Sequence, residues 1–171
     1  KKVLSYQKCL YIDFEGSLKN GIREVGYIIS INGIIDTSRQ ISGENTLEVI
    51  RDLQSEGFDY CAAHNYKTEQ NLIKKYFPNQ QNTQSRALKS GPVTRWLDTV
   101  KVYRSLYPQI EKYDLRTLTE IFIEKETLKE ISGTVCEKGK NKFHNSLFDS
   151  LCVYLLVDRL KFSVNIRSFL Q

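Results

Sequence analysis

Three short stretches place acids and histidines where they could do chemistry. In CLYIDFEG (residues 9–16) an apolar run ends in Asp13 and Glu15, one residue apart. In AAHNYKTEQNLI (residues 62–73) His64-Asn65 is followed by Glu69, and in KFHNSLFDSLCVYLL (residues 142–156) His144 precedes Asp149 by five positions. These stretches hold both histidines of the chain. If residues 8–14 form a strand, Asp13 and Glu15 project from one face, with Phe14 packing behind. Two carboxylates held that close repel and raise each other's pKa unless a cation sits between them. The pair is therefore either solvated at a frayed strand end or holds a metal.

Glu69 falls in the first turn of an expected helix, where the dipole favours a carboxylate, so capping alone would also account for it. His144 and Asp149, at about 100° per residue, would lie about 140° apart on one helix and could not share a face. His144 is therefore placed on the loop before the helix and Asp149 within it, between Phe148 and Leu151. An acid in so apolar a helix is costly unless it is paired or bound to a metal.

The elements that must position these groups follow from periodicity and punctuation. Residues 24–31 and 34–41 are β-branched runs split by Asn32-Gly33, a hairpin signal. Residues 45–56 read as a helix with Leu47, Ile50 and Leu53 on one stripe, and 58–63 as a short apolar strand. Residues 68–77 read as a helix, carrying Leu72, Ile73, Tyr76 and Phe77 and stopped by Pro78. A polar loop is expected over 79–91, then a strand in VTRWLDT (93–99) and a helix to about Leu106. Helices over 115–123 and 124–131, a basic loop from Gly133 to Phe143 and an apolar helix over 145–160 complete the chain. Three strands followed by alternating strands and helices describe an α/β sandwich with a mixed sheet.

The 171 residues suit one domain with a real core, expected to span 1–171. The chain lacks Met and begins Lys-Lys, so an excerpt of a longer chain or a processed product is expected, one that serves within a larger polypeptide or complex. No apolar run approaches the roughly 20 residues of a membrane span, so no membrane partner is expected. Cys9, Cys61, Cys136 and Cys152 are too widely spaced for a structural zinc site. They read as core thiols of an intracellular, cytoplasmic protein. The net charge of +5 fits a polyanion partner.

Asp-x-Glu at a strand end, His-Asn followed by an acid at a helix start, and His-x4-Asp opening the last helix resemble the three motifs of the DnaQ-like (DEDDh) 3′–5′ exonucleases. REVGYIIS (23–30) looks like that family's second strand, and the stretch from Trp96 to Phe122 resembles its link into paired helices. The resemblance runs from about residue 8 to 160. One position departs: Glu69 stands where the family usually has Asp, although some viral members carry Glu there.

The resemblance implies an RNase H-like fold with a five-stranded mixed sheet flanked by helices. It also implies hydrolysis of single-stranded DNA or RNA from the 3′ end to nucleoside 5′-monophosphates, with two Mg²⁺ or Mn²⁺ ions as cofactors. Asp13 would bridge the two ions, Glu15 and Asp149 would hold the one that activates water, and Glu69 would support the other. His144 would be the general base, since imidazole titrates near neutrality. Gly16 and Ser17 stand where the family grips the terminal nucleotide, though a simple turn would use the same residues.

Asn65 either touches substrate or caps a helix, and Asp98 is expected to cap or brace rather than ligate. Lys138, Lys140 and Lys142 either track a phosphate backbone or form a solvated loop, and Trp96 and most tyrosines are expected to pack. The alternative within the same fold is a catalytically weak or inactive nucleic-acid-binding module.

Overall fold

The computed structural model describes residues 7–76 and 95–171. The loop expected over 79–91 and the stop at Pro78 lie outside the described residues, as do the side chains of Ile73, Tyr76 and Phe77.

β1 (Lys8–Ser17), β2 (Gly21–Ile31) and β3 (Ile34–Ser42) form an antiparallel meander, and Asn32-Gly33 makes its second turn with both residues at positive φ. A 3-10 turn leads into α1 (Thr46–Ser55). β4 (Tyr60–Ala63), α2 (Lys67–Tyr76), β5 (Trp96–Asp98) and α3 (Thr99–Leu106) follow. The chain then forms α4 (Leu115–Phe122), α5 (Lys125–Val135) and α6 (Ser146–Asp158). The sheet order is β3-β2-β1-β4-β5, with β1, β4 and β5 mutually parallel. This is the expected mixed five-stranded sheet, flanked by helices.

Alternation along β1 divides the core in two. Leu10, Ile12 and Phe14 join Val25, Tyr27 and Ile29 of β2 beneath α1 and Leu72 of α2. Cys9 and Tyr11 join Ile28 on the opposite face, against Tyr103 of α3, Leu118 of α4 and most of α6. Asp13 and Glu15 continue the Cys9–Tyr11 parity, so they face the α6 side. α6 is buried from Ser146 to Val157, as a helix apolar on all sides must be.

Several element ends differ from the sequence reading, β2 among them, which starts at Gly21 rather than at residue 24. α5 runs through Gly133 to Val135, although a loop was expected to begin there. Leu128, Ile131 and Val135 all pack on the core, and this stripe carries the helix past its glycine. β1 extends to Ser17 rather than ending near Phe14, because Glu15 and Gly16 still pair with β2 across a bulge. All four cysteines are free and buried, and among the described residues no helix is long and apolar enough to cross a membrane.

Candidate active site

The carboxyl end of β1 faces the start of α6, and there the acids converge. Asp13, Glu15 and Asp149 each bring one carboxylate oxygen to within 4.8 Å of the others. Asp149 sits in the first turn of α6, and its Oδ1 accepts the backbone N–H of His144 at 3.3 Å. His144 is exposed, with a left-handed φ of 71° that turns the chain into the helix. Glu69 reaches the same region from the first turn of α2, close enough that its charge acts on Asp13, but it stands outside the three-carboxylate group.

Burial and crowding act together on these acids. Burial raises the Asp13 carboxyl well above the ordinary range, and the charges of Asp149, Glu69 and Glu15 raise it further. Burial pushes Asp149 up to about 7, with Glu15 adding to the shift. Burial likewise pushes Glu69 up to about 8, against the backbone N–H groups of Glu69 itself and of Phe14, which favour its ionised form. Burial also raises Glu15, and the exposed Arg23 guanidinium 3.6 Å away opposes that shift. Asp13 Oδ2 and Glu69 Oε2 are buried without a hydrogen-bond partner.

Buried carboxylate oxygens without donors, set among other acids, call for a cation. The donor set is all hard oxygen, which suits Mg²⁺ or Mn²⁺ better than zinc. Asp13, Glu15 and Asp149 would hold such an ion, with Glu69 at the edge of the group.

A pH dependence follows. Each carboxyl sits above its value in the unfolded chain, so the folded state binds more protons than the unfolded one from about pH 4 to about pH 8. The stability this confers is full below about pH 4 and is lost as the pH rises through about 7 for Asp149 and about 8 for Glu69. In chelator, the protein is expected to melt at least about 5 °C higher at pH 5 than at pH 8, with Asp149→Asn narrowing the gap. Mn²⁺ is expected to raise the melting temperature more at pH 8, because protons compete for the same oxygens. A thermal unfolding series at the two pH values checks both.

The remaining residues singled out in the sequence fall around this group. Gly16 and Ser17 are exposed at the end of β1. Gly16 has a φ of 154°, and a Cβ there would strike the Gly21 carbonyl, so the bulge requires glycine. Ser17 Oγ accepts the Asn20 N–H at 3.0 Å and so builds the β1–β2 turn. Asn65 is exposed at positive φ, and its N–H donates to Asp98 Oδ1 at 2.9 Å. The same oxygen caps α3 through Val100 N–H at 3.0 Å, so Asp98 is a brace that ties the β4–α2 turn to β5.

His64 is tied on both sides, to Thr99 Oγ1 and to the Tyr113 carbonyl, each at 2.7 Å. Its Nε2–H donates to that carbonyl, and burial lowers its pKa, so it serves as a neutral strut. Lys138, Lys140 and Lys142 are exposed on the loop before His144, and Lys140 pairs with Glu137 at 2.9 Å. Trp96 is buried and stacks on Tyr66.

The sequence reading passed over three residues that seat α6. Glu24 Oε1 accepts both the Ser146 N–H at 2.9 Å and the Ser146 hydroxyl at 2.6 Å, and Gln40 Oε1 accepts the Leu147 N–H at 3.0 Å. Gly26 lies beneath that turn, where a Cβ would collide with the backbone of Ser146 and Leu147. The available signal was parity: Glu24, Gly26 and Ile28 share one face of β2, so an acid and a glycine fall on the face that carries the buried Ile28.

No family model and no curated protein matches the chain. Among solved structures it is similar to Exonuclease X in complex with 5′ overhanging duplex DNA, at 16% identity and a TM-score of 0.58. The likeness covers 94% of this chain and 96% of that one. The likeness shows the fold: a mixed five-stranded sheet flanked by helices, shared with that exonuclease.

Proposed function

We propose that this chain is a divalent-metal-dependent 3′–5′ exonuclease that shortens single-stranded DNA or RNA ends to nucleoside 5′-monophosphates. The observation that carries the reading is the convergence of Asp13, Glu15 and Asp149, with two buried acid oxygens unsatisfied, on a fold shared with an exonuclease.

Two divalent ions, when bound, supply an activated water and neutralise charge on the phosphate and the leaving 3′-oxygen. Asp13, on the central strand, would hold both ions. Glu15 and Asp149 complete one side, and Glu69 supports the other. His144 stands in solvent beside Asp149, held by its own N–H on the Asp149 carboxylate, and takes the proton from the attacking water. Gly16 and Ser17 leave the rim open beside Asp13, where a terminal nucleotide would lie. Asn65 is exposed at the rim beyond β4 and would meet the same nucleotide. Lys138, Lys140 and Lys142, together with the positive net charge, favour a polyanionic substrate.

The test is a time course with 5′-labelled single-stranded DNA and RNA in Mg²⁺ or Mn²⁺, with chelator as the blank. A one-nucleotide ladder growing from the 3′ end establishes the reading and names the preferred sugar. Intact strands under both metals overturn it. A second reading, a binding module of weak or no activity, rests on Glu69 standing outside the three-carboxylate group. Intact strands that are nevertheless retarded on a gel would establish that reading.

A further inference from the structure

The first turn of α6 brings Asp149 and His144 to the site, yet its own cap does little to hold it. The first main-chain bond of the helix runs from the Asp149 N–H to the Asn145 carbonyl, so the N–H groups ahead of it need outside partners. Asn145, at the cap position, makes no side-chain cap bond, and its amide donates backward to the Lys142 carbonyl at 3.1 Å. The partners come from the sheet instead, as Glu24 for Ser146 and Gln40 for Leu147.

The strand register makes this more than a local contact. Glu15 lies opposite Glu24, and Glu24 opposite Ser42. Asp13 lies opposite Gly26, and Gly26 opposite Gln40. Two adjacent rows across β1, β2 and β3 therefore each carry one metal-facing acid and one holder of α6. Gly26, between Asp13 and Gln40, leaves the space in which the helix turn sits. Ser42 Oγ donates to Glu24 Oε2 at 3.4 Å, which steadies the carboxylate whose other oxygen holds Ser146.

Something must hold the turn there. Asp149 faces Asp13 and Glu15, and whenever Asp149 and either of them are ionised together they repel and push the start of α6 away from β1. Glu24 Oε1 draws the turn in by accepting both the N–H and the hydroxyl of Ser146.

We propose that Glu24 and Gln40 are positioning residues that register the first turn of α6 to β1, and so set where Asp149 and His144 stand relative to Asp13 and Glu15. The inference rests on the reading of this site as a metal-dependent nuclease. The role belongs to the reach of an acceptor oxygen and not to charge, because a neutral amide can accept the same two bonds from Ser146. Glu24→Gln therefore preserves the function, whereas Glu24→Asp keeps the charge and withdraws the oxygen.

The experiment compares wild type, Glu24→Gln, Glu24→Asp and Gln40→Ala by melting temperature, by calorimetric titration with Mn²⁺ alone, and by kcat and KM on a single-stranded oligonucleotide. Glu24→Asp is expected to remain folded while losing about 10- to 100-fold in Mn²⁺ affinity or kcat, with KM unchanged. Glu24→Gln stays close to wild type, and Gln40→Ala shows a smaller loss in the same direction. A folded Glu24→Asp that matches wild type in both readouts overturns the inference, as does a Glu24→Gln as impaired as Glu24→Asp. If wild type binds Mn²⁺ but cuts no strand, the nuclease reading fails and the Mn²⁺ titrations alone decide. Weaker binding in Glu24→Asp, restored in Glu24→Gln, then supports the positioning role, and equal binding in all variants overturns it. A wild type that binds no Mn²⁺ overturns both.

Discussion

Asp13→Asn is expected to abolish strand shortening, by at least about 10³-fold in kcat/KM, while leaving the protein folded. Asparagine keeps the shape of the side chain and removes one negative charge. If Asp13 is the carboxylate shared by two ions, that charge carries several kcal/mol of transition-state stabilisation, and each 1.4 kcal/mol is about tenfold in rate. The same substitution relieves the repulsion that raises Asp13 in the folded state, to which Asp149, Glu69 and Glu15 all contribute. In chelator at pH 8 the variant should therefore melt no lower than wild type, and its oligonucleotide affinity should change little. Initial rates, melting curves and gel retardation on one preparation separate the two effects. A folded Asp13→Asn that cuts at the wild-type rate removes Asp13 from the mechanism.

Gly26→Ala carries the second large effect, through the backbone. The added methyl group would overlap Ser146 and Leu147, main-chain atoms that a rotamer change cannot move. Overpacking of this kind costs about 1–3 kcal/mol, and more where backbone must shift. A drop in melting temperature of about 5–10 °C is expected for a domain of this size. The displaced helix turn carries Asp149 with it, and a shift of about 1 Å in a reacting group costs about 10²-fold. Gly133→Ala is the control: its Cβ meets nothing within 4 Å inside α5, so it should stabilise by about 0.5–1 kcal/mol. Differential scanning calorimetry of the pair, with kcat measured on each, checks the contrast. A Gly26→Ala as stable and active as Gly133→Ala would mean that α6 is not seated on β2.

Legibility from sequence depended on whether a pattern was local. Asp13 and Glu15 were readable because alternation in a strand is a two-residue rule, and the α6 side of β1 carries them as that rule demands. Glu69 was readable because helix starts have a recognisable chemistry. His144 was placed on a loop because five residues of helix could not bring it round to Asp149, and its positive φ agrees. The seating of α6 was not readable, because Glu24 and Gln40 meet backbone N–H groups 122 and 107 residues away, and an N–H leaves no mark in sequence. The end of α5 was misplaced for the opposite reason. Gly133 is a strong local breaker, and the packing of Val135 on the core outweighed it.

The distance between β2 and α6 along the chain also sets a schedule. Asp13, Glu15, Glu24 and Gln40 all leave the ribosome before residue 43, while His144 and Asp149 emerge on one segment more than a hundred residues later. At about 5–20 residues per second, that lag lasts about 5–20 s. During it the nascent meander presents Asp13 and Glu15 without Asp149 or His144, and with the space over Gly26 still unfilled. Asp149 and His144 then arrive in a single docking event, so on the proposed nuclease reading the site would be completed in one step, with no partly assembled form active during synthesis.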